Sequence, residues 1–187
     1  MRKTLLVICG IACVTGLHAQ DVERTQDGAK NFIRTQNVTE EIRFYSDDIV
    51  RVIKYPSRHL PDKKSYPVIK TPEDVNLSYT EQEGNLSIKT GNMEVVQLFE
   101  KGTPIKITFK DVQGNLLVQE KEFGTNFIPC KDGPYDSYRV SQRFMMSPDE
   151  TLYGLGQQQT GKLNQRDQEL TLRNENTRVC IPYITSE

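Results

Sequence analysis

Ile105-Lys106-Ile107-Thr108-Phe109-Lys110 alternates apolar and polar side chains without a break. Successive side chains of an extended backbone point to opposite faces. This period of two therefore predicts a strand with one wet face and one core face, the latter holding Ile105, Ile107 and Phe109. Asp111 to Asn115, with Gly114, reads as a turn, and Leu116 to Glu122 returns as the antiparallel partner. The same alternation recurs upstream, where Ile42 and Phe44 interleave with Arg43 and Tyr45, and Leu86 and Ile88 with Ser87 and Lys89. Ile49 to Tyr55 is a further short apolar-rich run. Beyond the N-terminal segment no stretch carries apolar residues at helical spacing through three turns, so the predicted fold class is all-β. The expected architecture is an antiparallel β-sandwich over residues 31–187.

Two stretches interrupt the pattern. Pro56 to Pro72 is rich in proline and contains Lys63 and Lys64. It cannot be a central strand and reads as an exposed connection within the sandwich. Phe123 to Asp136, with Gly124, Pro129, Gly133 and Pro134, also reads as irregular, after which Tyr138 to Met145 resumes the alternation. Met145 and Met146 are expected to fill core space. Asn37-Val38-Thr39, Asn76-Leu77-Ser78 and Asn85-Leu86-Ser87 match the glycosylation sequon, a pattern that recurs by chance.

The N-terminus reads as an address. Arg2 and Lys3 precede an apolar run from Leu5 to Leu17, and Leu17-His18-Ala19 before Gln20 has the form of a signal-peptidase site. Residues 1–19 are thus expected to be a signal peptide that directs export to the periplasm or outside the cell, with 20–30 a flexible lead-in. A lipoprotein signal ending at Cys13 is the second reading. The apolar run falls short of the roughly 20 residues of a transmembrane helix.

About 170 residues then remain, the size of one domain with its own core. The formal net charge is −1 with both signs interspersed, which argues against nucleic acid as a partner. Cys130 and Cys180 have neither a redox-motif nor a metal-ligand spacing; an exported protein could bridge them, but two separate buried thiols are expected, Cys180 lying between Val179 and Ile181 like a core side chain. With His59 the one histidine past the signal, a zinc site or a Ser-His-Asp arrangement has too few parts. No phosphate- or dinucleotide-binding fingerprint occurs, and no cofactor or metal is predicted.

Leu152 to Tyr183 is the stretch that speaks to function: LYGLGQQQTGKLNQRDQELTLRNENTRVCIPY. Glycines among uncharged amides suit a backbone that turns sharply and offers donors and acceptors to a polar, uncharged ligand such as a sugar, although such loops also serve plain hairpins. Tyr153-Gly154-Leu155-Gly156-Gln157, Gly161-x-Leu163-Asn164-x-Arg166, Asn174-x-Asn176-Thr177 and Ile181-Pro182-Tyr183-x-x-Ser186 together resemble the signature that closes the N-terminal, galactose mutarotase-like β-sandwich of glycoside hydrolase family 31. That family holds α-glucosidases and α-xylosidases. The resemblance extends weakly back to Val38. One departure is Asp167, where relatives usually carry glycine, so the loop there is expected to turn differently.

The resemblance implies an exported glycosidase whose two catalytic aspartates belong to a (β/α)₈ barrel beyond Glu187, leaving no catalytic residue in this chain. It further implies that Asn176 and Thr177 contact a sugar on the leaving-group side of the pocket, where relatives place an acid or amide and a hydroxyl. The partners implied are an α-linked oligosaccharide and the barrel of the same protein. A purely local role for the pair is the competing reading, since Asn and Thr often satisfy turn backbone. From the residues themselves, Glu40-Glu41, Asp47-Asp48 and Asp149-Glu150 read as solvated carboxylates. A stand-alone sugar-binding or adhesive β-sandwich is the alternative function.

Overall fold

The computed structural model describes residues 22–34, 36–57, 65–101 and 103–187. The stretch read as a signal peptide, Cys13 and His59 lie outside them. Every regular element among the described residues is a strand. The chain divides into two compact units, one ending at Phe144 and the other Met145–Glu187.

In the first unit, β1 (Val22–Thr25), β2 (Gly28–Ile33), β3 (Val38–Ser46) and β4 (Ile49–Pro56) form a four-stranded antiparallel meander. A second antiparallel sheet comprises β5 (Ser78–Gln82), β6 (Asn85–Lys89), β7 (Met93–Glu100), β8 (Thr103–Asp111), β9 (Leu116–Glu120) and the short β12 (Phe144–Met145), in the order β12-β9-β8-β7-β6-β5. Ala29, Ile42 and Phe44 of the first sheet form one buried cluster with Leu86, Ile88, Met93, Val95 and Ile107 of the second. The two sheets are the layers of a β-sandwich, and the period-two pattern is the cause: each strand commits one face to the shared core.

The strand that anchors the sequence reading is β8. Ile107 is fully buried, Phe109 packs against the core cluster, and Ile105 is half-buried. The turn after it is held by Asp111, whose Oδ1 accepts the backbone N–H groups of Gln113 and Asn115 at 2.9 and 2.8 Å. Its Oδ2 accepts from Asn115 Nδ2 at 2.7 Å. Residues 65–72 have no regular structure, and Tyr66 and Ile69 are exposed, as an outer connection requires.

Several local readings are corrected. The sandwich starts before residue 31, because β1 and β2 pair within 22–33 and Ala29 is buried in the core. Short polar strands escape a periodicity test, since β1 and β2 put few apolar side chains, chiefly Val22, Ala29 and Ile33, on their inner face. The stretch read as irregular contains a hairpin, β10 (Asn126–Asp132) with β11 (Tyr135–Ser141). Pro129 fits because this ribbon has two strands and hence free edges where a missing N–H is harmless. Phe127 and Tyr138 meet edge to face on it, with ring centroids 6.2 Å apart. Met145 is exposed rather than core filler. Glu40 is not solvated but buried between the sheets.

Candidate functional site

The polar C-terminal stretch folds as the second unit. β13 (Leu152–Gln157) pairs antiparallel with β14 (Val179–Ser186), and the register shifts between Gly154 and Gly156. The glycines are required by this pairing. At Gly154 (φ 113°) an added Cβ would lie 2.3 Å from the carbonyl oxygen of Tyr183, and at Gly156 (φ 82°) 2.1 Å from that of Val179. Leu155 between them also takes a positive φ, 64°. A bulge of this kind twists the strand and leaves carbonyls unpaired. Gln158 answers that need: it is buried, and its Nε2 donates to the carbonyls of Leu155 at 2.7 Å and Val179 at 3.3 Å.

The next block of the signature is used in a similar way. Asn164 Oδ1 accepts the N–H of Leu152 at 3.1 Å and of Arg166 at 2.9 Å, while the Gln165 N–H donates to the Leu152 carbonyl at 2.7 Å. Arg166 donates from one guanidinium nitrogen to the carbonyls of Ser147 at 2.8 Å and Glu150 at 2.7 Å. Asp167, the departure from the signature, takes φ 58°. This is the left-handed conformation that glycine favours and aspartate tolerates among non-glycine residues, so the residue changes while the turn a glycine would make is still made.

Asn174 accepts the Cys180 N–H at 2.8 Å. Beyond it the backbone closes a tight turn: the Glu175 N–H donates to the Arg178 carbonyl at 3.0 Å and the Arg178 N–H returns to Glu175 at 3.3 Å. Asn176 and Thr177 are the two residues at its tip, both exposed. Neither side chain has a hydrogen-bond partner among the described residues, so the turn is closed by backbone alone. The carboxylates nearby are engaged locally, Glu175 with Arg173 at 2.7 Å and Glu150 with the Ser147 N–H at 2.9 Å.

The two hairpin glycines, Gln158 and Gln165 also border an open cleft of about 420 Å³, together with Thr160 and Leu163. Gln165 Oε1 is buried there without a donor. Gln158, Asn164 and Arg166, which the sequence reading quoted within the polar stretch without giving each a role, tie down backbone. The signal for them was faint, because an amide that ties down a bulge looks the same in sequence as one that faces a ligand. Cys180 is a free, half-buried thiol, and its neighbours Val179 and Ile181 are exposed, which corrects the expectation of a core cysteine. Cys130 is likewise free and half-buried.

Residues 39–180 match the family model of the glycosyl hydrolase 31 N-terminal galactose mutarotase-like domain, and the chain belongs to that family. It is 31% identical over 143 residues to alpha-glucosidase 2 of Bacillus thermoamyloliquefaciens, covering 76% of this chain and 16% of the relative. To an alpha-xylosidase of Saccharolobus solfataricus it is 28% identical over 173 residues, covering 82% of this chain and 22% of the relative. The crystal structure of a family 31 alpha-xylosidase from Xanthomonas citri superposes with a TM-score of 0.81 at 25% identity, over 88% of this chain and 18% of that one. A family 31 alpha-xylosidase from a soil metagenome, complexed with xylose, shares the fold with a TM-score of 0.74 at 20% identity, over 89% of this chain and 26% of that one. The chain thus spans about a fifth of the length of these relatives.

Proposed function

We propose that this chain is the N-terminal, non-catalytic portion of an exported family 31 glycoside hydrolase that cleaves O-glycosyl bonds of α-glucosides or α-xylosides, and that it contributes Asn176 and Thr177 to sugar contact. The observation that carries the reading is the tip of the Glu175–Arg178 turn. Its two side chains are exposed and unpartnered among the described residues, while Asn164, Arg166 and Asn174 of the same signature hydrogen-bond backbone. An amide and a hydroxyl offer both donors and acceptors, which suits sugar hydroxyls. The opposite wall of the pocket, and the carboxyl pair that does the chemistry, belong to a catalytic barrel of the same protein. A pocket must bury most of a small ligand to hold it well, so the tip alone binds sugar very weakly.

The test uses an enzyme that carries this segment together with its barrel. Asn176→Ala and Thr177→Ala are each expected to lower kcat/KM by the worth of one or two hydrogen bonds, roughly 0.5–1.5 kcal/mol apiece. The unfolding temperature should not move, since the backbone closes the turn. Unchanged kinetics in both variants would sink the assignment, as would a loss of fold, which would make the pair turn chemistry. Export is tested separately. The secreted protein is expected to begin at Gln20, and an N-terminus at Cys13 would establish the lipoprotein route instead.

A further inference from the structure

Antiparallel register places Asn31, Glu40 and Lys54 in one row across β2, β3 and β4, because Asn31 pairs with Glu40 and Glu40 with Lys54. Glu40 shares a strand face with Ile42 and Phe44, so it points into the space between the sheets and is only 2% exposed. The opposing sheet contributes Gln97 from β7 and Glu120 from β9, both buried. Lys54 Nζ lies 3.0 Å from Glu40 Oε2 and 2.7 and 2.9 Å from the two oxygens of Glu120. It also donates to Thr125 Oγ1 at 3.1 Å. Two carboxyl groups therefore converge on one ammonium, beside a cavity of about 20 Å³.

With both acids ionised the cluster would carry an uncompensated negative charge in the interior, which is costly. The hydrogen bonds say which acid is the charged one. Glu120 accepts two donors on each oxygen: Lys54 and Gln142 Nε2 (3.1 Å) on Oε1, Lys54 and the Ile107 N–H (3.1 Å) on Oε2. That is the shell of a carboxylate. Glu40 accepts Lys54 on one oxygen and Gln97 Nε2 on the other. Asn31 Nδ2 donates to Gln97 Oε1 at 2.6 Å, which fixes the amide and leaves Asn31 Oδ1 buried with no donor.

We propose that Glu40 keeps its proton at neutral pH, as a neutral acid held between the two sheets, and that this inter-sheet lock loosens when the proton is removed. Burial is the largest influence on Glu40 and pushes it up; the charge and hydrogen bond of Lys54 oppose this, the charge of Glu120 adds to it, and a hydrogen bond from Asn31 opposes it, the net direction being upward. The other charged group at the cavity, Lys106, is paired with Glu122 at 3.3 Å. Because the folded value lies above the ordinary 4.5, the folded chain holds this proton more tightly than the unfolded one. The stabilisation is complete below the ordinary value and is lost as pH rises through the folded value. Lys54 works in the same direction at the alkaline end: burial lowers it, but Glu40 and Glu120 hold it above the ordinary 10.5.

The experiment is a pH titration of the full chain carrying ¹³C-labelled glutamate, with the Glu40 carboxyl signal assigned from Glu40→Gln and cross-checked against Glu120→Gln. The Glu40 signal is expected to stay at its protonated position through neutral pH. Urea unfolding supplies the second readout. The wild-type folding constant should fall by up to about tenfold per pH unit above the ordinary glutamate value, where the unfolded chain has lost this proton and the folded chain keeps it. Glu40→Gln, which keeps the shape but cannot ionise, should lose that slope and remain at least as stable at neutral pH. A Glu40 carboxyl that titrates at or below the ordinary carboxylate value overturns the proposal, and so does a Gln variant that folds with the wild-type slope. If Glu40→Gln does not fold, the wild-type titration decides alone, with its assignment taken from Glu120→Gln.

Discussion

Gly156 and Gly133 both take a positive φ, yet they answer to different constraints. A Cβ at Gly133 (φ 58°) meets nothing within 4 Å, whereas one at Gly156 meets the Val179 carbonyl at 2.1 Å. Gly133→Ala is therefore expected to cost only the backbone strain, about 1 kcal/mol, and Gly156→Ala that strain plus a forced separation of β13 from β14, about 3 kcal/mol or more. Urea unfolding of the two variants checks the ordering; equal losses would show that the hairpin tolerates a side chain there. At this scale the glycine pair was legible in the sequence, because a backbone approach this close leaves no room for a side chain, whereas Asn176 and Thr177 were reached only through the family resemblance. Glu40 was not legible. Thr39-Glu40-Glu41 gives two acids in succession, and nothing within one strand reveals that register will set Lys54 beside the first of them.

Among the elements, β1 and β2 show why the start of the sandwich was missed and what holds it. The link between them is tied to β3 by Asp27, which accepts from Arg43 Nε and Nη2 at 2.8 and 2.7 Å, while its carbonyl accepts the Phe44 N–H at 2.7 Å. Tyr79 of β5 adds its hydroxyl to the carbonyls of Thr25 and Gly28 at 3.1 and 2.8 Å. These are long-range polar ties, which periodicity cannot register, whereas β3, β6 and β8 declared themselves through apolar alternation. Burial alone would raise Asp27, but hydrogen bonds from Arg43 and Thr25 and the Arg43 charge outweigh it and hold the carboxyl below the ordinary 3.8. Its contribution is thus present above that value and lost as pH falls through the folded one. Asp27→Asn is expected to cost about 1 kcal/mol at neutral pH, the pair being partly exposed, and to remove that part of the acid-side loss of stability. An unchanged urea midpoint at neutral pH would mean the link is held by its backbone bond.

For the molecule as a whole, the fold and the chemistry separate. Periodicity was enough to give two antiparallel sheets, since a shared core between them is what alternation means physically. Activity is a different matter, because a retaining glycosidase needs two carboxyl groups about 5–5.5 Å apart with a sugar between them. Glu40 and Glu120, the two acids this fold brings to one point, converge on Lys54 beside a cavity of about 20 Å³, room for about one water molecule and no sugar. The purified 187-residue chain is accordingly expected to show no turnover of aryl α-glucosides or α-xylosides. It should nonetheless give the circular dichroism of a β protein and a cooperative urea transition. Turnover by the chain that is abolished by Glu40→Gln or Glu120→Gln without loss of fold would reverse the assignment, making the buried cluster a catalytic pair. Turnover unaffected by either substitution, and lost on further purification, would trace to a contaminant and leave the domain with the supporting role its free hairpin tip suggests.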